Sequence, residues 1–148
     1  EREKNENGNP AMAIELRDGT IVSGGTSELL GAASSALINA LKVLAGIDKE
    51  VKLIDPKAID PIQDLKINYL GSKNPRLHTD EVLTALSATA ANNEIAMKAM
   101  KKLPLLKGCD AHSTVLLSSV DEQIFKKLGI QLTCEPKYEE DERMYHKN

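Results

Sequence analysis

Residues 71–81, GSKNPRLHTDE, concentrate side chains that could bind an anion. Five residues before the predicted helix start carry a positive charge, a hydrogen-bonding group or a titratable ring: Ser72, Lys73, Asn74, Arg76 and His78. A helix predicted to begin at Thr79 would add the positive end of its dipole. Such a combination is typical of a site for phosphate or carboxylate. The alternative is a stiff loop followed by a helix cap, which would explain Thr79 and the acids after it but not the crowding of Lys73, Arg76 and His78.

Residues 23–27, SGGTS, are a second candidate anion site. Glycines and hydroxyls that lie between a strand and a helix offer backbone N–H groups to an anion. The residues concerned are Gly24, Gly25, Thr26 and Ser27. No GxGxxG motif and no Walker lysine accompanies them, so this is not a standard nucleotide motif. A tight turn followed by a helix cap is the alternative interpretation.

The candidates for a catalytic role are His78 and His112, because histidine titrates near neutral pH. His112 precedes Ser113 in a predicted strand, where successive side chains point to opposite faces, so these two do not form a nucleophile pair. A hydrogen-bonded core or interface histidine is the alternative for His112. Cys134 lies in the last predicted strand and is either a nucleophile or a buried small apolar residue.

The composition excludes several classes of function. The chain has 148 residues, a net charge of −3, three Tyr, one Phe and no Trp. Without a basic block or aromatic platforms, no nucleic-acid binding is expected. No apolar run is long enough to span a membrane and no signal peptide is present, so we expect a cytoplasmic protein without membrane contact. Two cysteines without ligand spacing argue against structural zinc, and no metal site or cofactor is indicated.

The elements that must position these residues begin with a β-hairpin over residues 11–23, where an Asp-Gly pair is a strong turn signal. Residues 29–44 are apolar or small nearly all round, which predicts a buried helix over residues 26–46. Its cap is expected at Thr26 or Ser27. Residues 51–54, VKLI, predict a short strand.

The second half of the chain predicts four helices and two strands. The helices are expected at residues 61–70, 79–92, 93–108 and 119–129, and the strands at 111–118 and 130–136. Pro61 would occupy the first position of its helix, and Thr79 would cap the next one. The unit from 111 to 136 is either a parallel crossover or an antiparallel return.

These elements predict an α/β or α+β fold. A mixed sheet of about five strands, which includes the N-terminal hairpin, would be covered by helices, one of them buried. We expect a flexible lead-in at residues 1–10, a single α/β domain at 11–138 and a charged tail at 139–148.

Three stretches of the chain resemble one bacterial family. They are AIELRDGTIVSGGTSELLGAASSALINALKVLAGI, IQDLKINYLGSKNPRLHTDEVLTALSATAANN and LKGCDAHSTVLLSSVDEQIFKKLGIQLTCEPKY. The family is the domain-of-unknown-function family 1846, also catalogued as uncharacterised protein family 0371. The resemblance runs from about Pro10 to Tyr138. It implies α/β architecture and a chain that is the C-terminal part of a longer protein, and it assigns no activity to any residue.

Two hypotheses about function follow. In the first, this is the C-terminal domain of a cytoplasmic bacterial protein that binds a small anionic or phosphorylated ligand. The cations of residues 71–78 would neutralise its charge, and His78 or His112 would move a proton. In the second, it is a structural domain that mediates contacts with the missing N-terminal part of the family chain or with a second copy. Convergence of residues 23–27, residues 71–78 and His112 on one cleft would favour the first.

Overall fold

The computed structural model describes residues 11–135, and its centre is a four-stranded mixed sheet. The strand order is β2-β1-β3-β4, in which β1 is antiparallel to both β2 and β3, whereas β3 and β4 are parallel. The strands are β1 (Ala11–Glu15), β2 (Ile21–Gly25), β3 (Asp110–Ser113) and β4 (Gln131–Cys134). The predicted α/β class is therefore confirmed. The predicted lead-in at 1–10 and tail at 139–148 lie outside the described residues.

Five α-helices surround this sheet within residues 11–135. They are α1 (Ala32–Ala45), α2 (Pro56–Asp64), α3 (Thr79–Ala90), α4 (Glu94–Met100) and α5 (Ser119–Leu128). The helix α2 continues as one turn of π-helix at Leu65–Tyr69, and a short 3₁₀ helix at Leu103–Leu106 follows α4. None of these helices has the length and apolarity that a membrane crossing requires.

The predicted hairpin is confirmed, and local chemistry explains it. The Asp18 carboxylate accepts a hydrogen bond from the Thr20 N–H at 2.9 Å, and Gly19 adopts a φ of 94° that favours glycine. The predicted crossover is parallel, because β4 follows α5 and pairs with β3 in the same direction.

The helix α1 is buried against β2 and β1, as its all-round apolar sequence predicts. Ala36, Leu37 and Leu41 have no exposed surface. The contact with β2 is so close that a Cβ at Gly24 would lie 2.3 Å from the backbone nitrogen of Ala36. Only glycine fits at that point of the strand without moving the helix.

The prediction of a fifth strand at 51–54 is wrong. These residues form bends, and Leu53 and Ile54 are buried in the core without pairing to the sheet. The next residue, Asp55, caps α2 by accepting a hydrogen bond from the Lys57 N–H at 2.9 Å. A short apolar pair beside a helix start therefore resembles a strand in sequence although it only fills the core.

Several helix boundaries also differ from prediction. The helix α1 begins at Ala32 and not at 26, because the Ser27 hydroxyl accepts hydrogen bonds from the Leu29 and Leu30 N–H groups and forms a separate turn. The helix predicted at 61–70 begins earlier, with Pro56 in its first turn. The helix predicted at 93–108 ends at Met100.

Candidate functional site

The two polar segments that the sequence singled out lie side by side. Leu30 and Leu77 form an isolated parallel bridge. The Leu77 N–H donates to the Leu29 carbonyl at 2.9 Å, and the Leu77 carbonyl accepts from the Gly31 N–H at 3.3 Å and from the Ser34 hydroxyl at 2.9 Å. Since Leu77 is 1% exposed, this bridge is part of the core and fixes the relative position of both segments.

Arg76 joins the two segments through its side chain. Its Nε donates a hydrogen bond to the Ser27 carbonyl, and its backbone N–H donates to the Asn74 side-chain oxygen at 3.0 Å. The Asn74 N–H in turn donates to the Ser72 hydroxyl at 3.1 Å. Ser72 and Asn74 therefore shape the loop, and Arg76 holds it against the segment before α1.

The end of α2 and the π-helical turn support the loop from the other side. Gln63 donates to the carbonyls of Glu28 and Pro75 at 3.3 and 3.0 Å. Lys66, which is 6% exposed, donates to the Arg76 carbonyl at 2.5 Å and to Glu81 at 2.9 Å. The π turn places the Lys66 ammonium where it can satisfy the loop and the start of α3 together.

The cap of α3 is His78 and not Thr79, which corrects the sequence prediction. The His78 N–H donates to Glu81 at 2.8 Å, so the glutamate of the first turn completes the cap. Burial opposes ionisation of Glu81, but the hydrogen bonds from Lys66 and from the His78 N–H hold its pKa below the ordinary value. Thr79 is fully buried, and its N–H and hydroxyl donate to Asp121 at 2.9 and 2.7 Å.

The starts of three helices meet around a cavity of about 70 Å³, here called the three-helix cavity. The first residues of α1, the cap of α3 and the cap of α5 all line it, beside Val115 just beyond β3. Its polar lining comes from Asn74, Arg76, His78, Ser118 and Asp121. In α/β folds this edge of the sheet, outside the ends of parallel strands, is a common place for ligands.

The three helix starts differ in how their N–H groups are satisfied. At α3, Glu81 and Asp121 accept from the His78 and Thr79 N–H groups, and at α5 the Ser118 hydroxyl accepts from the Asp121 N–H at 3.2 Å. The cap of α1 is Gly31, which has no side chain, and the first turn of α1 contains no acid. Among the described residues, α1 alone of these three directs an uncapped positive end towards the cavity.

Several predicted site residues lie away from this cavity. Gly24 and Gly25 belong to strand β2, and Thr26 follows them without lining the cavity. Lys73 is exposed and outside the lining. His112 is also outside it.

His112 instead lies on the sheet beside strand β4. Its Nδ1 is 2.7 Å from the Thr133 hydroxyl and its Nε2 is 3.0 Å from Glu135. These are cross-strand contacts, because His112 and Thr133 are paired in the parallel ladder of β3 and β4. Burial raises the pKa of Cys134 above its ordinary value, which disfavours its reactive thiolate form.

Two residues of the cavity escaped sequence reasoning, namely Ser118 and Asp121. Their spacing, Ser-x-x-Asp at a helix start, is a common capping pattern, and Ser118 does cap α5. Asp121 is 8% exposed and bonds Thr79 from 42 positions away, a contact that no local pattern reveals. The capping pattern was the only signal that the sequence offered, and it predicts the cap of α5 but not the contact with Thr79.

The comparisons with known proteins agree on one family. A family model described as "Domain of unknown function DUF1846, C-terminal" matches residues 1–145. A UPF0371 protein of Corynebacterium urealyticum is 59% identical over 88% of this chain, and one of Streptococcus thermophilus is 54% identical over 96%. The chain covers only 26% and 28% of these relatives, so it spans about a quarter of their length.

Proposed function

We propose that this chain, which belongs to the DUF1846 family and matches the model of its C-terminal domain, binds a small anionic group in the three-helix cavity. The anionic group would be a phosphate or a carboxylate. The family membership confirms the resemblance found in the sequence. It brings no activity with it, so the proposal depends on the cavity itself.

The observation that carries the proposal is the uncapped start of α1 beside Arg76. The first N–H groups of a helix have no intrahelical acceptor and attract anions, and Ala32 and Ala33 line the cavity. Arg76 lines the same cavity and makes no ion pair with any residue in 11–135. Its Nε is used by Ser27, which leaves the outer nitrogens of the guanidinium as donors.

The size of the cavity limits what it can hold. A volume of about 70 Å³ exceeds the roughly 10–15 Å³ that one water requires, but lies well below the roughly 300 Å³ of a small-ligand pocket. The cavity therefore suits one functional group of a ligand whose remainder extends outward. Asp121 adds a buried acceptor at the side of α3 and α5, which would suit a ligand hydroxyl near the anionic group.

The test is calorimetry with inorganic phosphate on the full-length family protein. Replacing Arg76 with alanine (Arg76→Ala) should weaken binding about tenfold or more, because a charge-assisted hydrogen bond contributes about 1.5–3 kcal/mol. Lys73→Ala is the matched control, since Lys73 is exposed and outside the cavity. Equal binding by Arg76→Ala and the parent would leave the loop with a structural role only.

A second function, assembly with the rest of the family chain, is supported by a different observation. Tyr69 and Leu70 are 74% and 71% exposed. They lie at the end of the π turn, just before residues 71–78, which we call the polar loop. Two adjacent large apolar side chains at such exposure suit a contact with another part of a longer protein. The polar loop would then be held between domains, where ligand sites often occur.

A further inference from the structure

We propose that the groove between the outer face of α1, residues 27–30 and residues 52–59 is a second ligand site, which takes an amphipathic anion with a carboxylate on a short alkyl chain or ring. We call this groove the Lys42 cavity. It is separate from the three-helix cavity and has a different chemical character. Ser27 is adjacent to both, since its carbonyl holds Arg76 and it lines the Lys42 cavity.

The walls of the Lys42 cavity are apolar and its volume suits a small apolar group. The volume is about 230 Å³, and an apolar cavity of roughly 150 Å³ already accommodates benzene. The aliphatic lining comes from Leu29, Leu30, Ile38, Leu53, Ile54 and Ile59. An alkyl chain of a few carbons or a single ring would bury its surface here at roughly 25 cal/mol per Å².

Polar groups in the lining make the cavity selective for an anion. Lys42 and Lys52 both line it, while no Asp or Glu does. Asn39 also lines it and uses its amide nitrogen to donate to the Ser23 carbonyl at 3.0 Å. A ligand with one apolar part and one negative group would match this arrangement of walls and charges.

The observation that points to a ligand is Lys42, a largely buried lysine whose ammonium has a single hydrogen-bond acceptor among residues 11–135. Lys42 is 8% exposed, and its Nζ donates to the Lys49 carbonyl at 3.0 Å. An ammonium has three donors, so this bond leaves two of them for another acceptor. No carboxylate of residues 11–135 forms an ion pair with Lys42, and Glu50, which lines the neighbouring groove with it, is not paired to it either.

A charge that is partly withdrawn from water and has no counterion among residues 11–135 is disfavoured, and Lys42 shows the effect. Burial first, and then the nearby charge of Lys52, lower the pKa of Lys42 below its ordinary value. A ligand carboxylate beside Lys42 would supply a counterion that residues 11–135 do not provide, and would accept from the remaining donors of the ammonium. The alkyl or ring part would then lie against the aliphatic walls.

The experiment uses the full-length family protein with hexanoate as the probe, measured by calorimetry. Hexanol is the matched neutral probe, because it has the same chain without the charge. Lys42→Met removes the ammonium and keeps an apolar stem, and Lys98→Met is the control because Lys98 is exposed on α4 away from the cavity. We expect Lys42→Met to weaken hexanoate binding about tenfold or more, Lys98→Met to leave it unchanged, and hexanol to bind the parent at least about tenfold more weakly than hexanoate.

Lys52→Met provides a second variant at an exposed position, so that the test does not depend on the folding of the Lys42 variant. It should weaken hexanoate binding by a smaller factor. Three results would overturn the proposal. The first is that hexanoate shows no saturable binding at millimolar concentration. The second is that the lysine variants bind hexanoate as well as the parent does. The third is a full-length structure in which an Asp or Glu from elsewhere in the chain pairs with Lys42.

Discussion

Glu81 is the residue on which the geometry of the polar loop depends. One of its carboxylate oxygens accepts from the His78 N–H and from the buried Lys66 ammonium, which also holds the Arg76 carbonyl. The position of Arg76 beside the three-helix cavity therefore depends on Glu81, an acid that does not itself line the cavity. Asp121 plays a comparable part at the other side of α3, where it accepts from the buried Thr79.

Replacing Glu81 with glutamine should lower the free energy of unfolding by about 1–3 kcal/mol, because Lys66 would remain buried without its anion. The Glu81 side chain is 29% exposed, so the loss should fall below that of a fully buried pair. Urea unfolding measures the change, and Glu122→Gln is the control because Glu122 is an exposed acid in the first turn of α5. Equal midpoints for the two variants would contradict this account.

The same residue predicts how stability responds to acid. The pKa of Glu81 is lowered in the folded protein, so its contribution is present above the unfolded value of about 4.5 and is lost as the pH falls through the folded value. The difference in unfolding free energy between the parent and Glu81→Gln should therefore be largest near neutral pH and shrink below pH 4.5. A difference that stays constant across this range would exclude the ionised carboxylate as its cause.

The close packing of α1 on β2 fixes the helix that lines both cavities. The start of α1 lines the three-helix cavity, and its middle lines the Lys42 cavity. The glycine at position 24 permits this approach, because any Cβ there would meet the backbone of α1. Gly24 therefore allows α1 to pack directly against β2.

Gly24→Ala should lower the free energy of unfolding by about 1–3 kcal/mol or more, since overpacking must move the backbone of α1. Gly31→Ala is the comparison, and its cost should stay near the roughly 0.5–1 kcal/mol by which alanine is poorer than glycine at a helix cap. A Cβ at Gly31 would meet nothing nearer than the Leu77 carbonyl at 3.9 Å, and its φ of −71° suits any residue. Thermal unfolding should separate the two variants clearly, and a Gly24→Ala protein as stable as its control would show that α1 can shift at little cost.

The elements that the sequence predicted well are those specified by neighbouring residues. The Asp18-Gly19 turn lies where it was expected, and Gly46 and Gly129 cap α1 and α5 at the last residues of the two predicted helix ranges. Both features need only local backbone chemistry. The strand at 51–54 failed because burial of Leu53 and Ile54 looks the same in sequence whether or not they pair with a sheet.

The candidate site was predictable only in part, for a related reason. The polar residues of 71–78 were recognised from their types, but their contact with Ser27 spans 49 positions and that of Thr79 with Asp121 spans 42. Local patterns carry no information about such contacts. The sequence therefore indicated which segments were unusual, and the fold determined that Arg76 lies at the cavity whereas Lys73 and His112 do not.

At the scale of the whole molecule, the proposed assembly with the rest of a family chain depends on one exposed apolar pair. The chain spans about a quarter of the length of its relatives, and Tyr69 and Leu70 are largely exposed beside the polar loop. If another part of the full-length protein covers this pair, the loop that carries Arg76 is held in place by that contact as well as by Lys66.

The double substitution Tyr69→Ser and Leu70→Ser in the full-length protein tests this contact through hydrogen exchange of the amides in residues 70–78. Burying one large apolar side chain contributes roughly 1.5–3 kcal/mol, so losing two should speed the exchange of this loop about tenfold or more. Leu105→Ser is the control, because Leu105 is 46% exposed and lies in the 3₁₀ helix after α4, away from the loop. Equal exchange rates of the loop in the double variant and in the parent would show that no contact at Tyr69 and Leu70 holds the loop, and this prediction would be wrong.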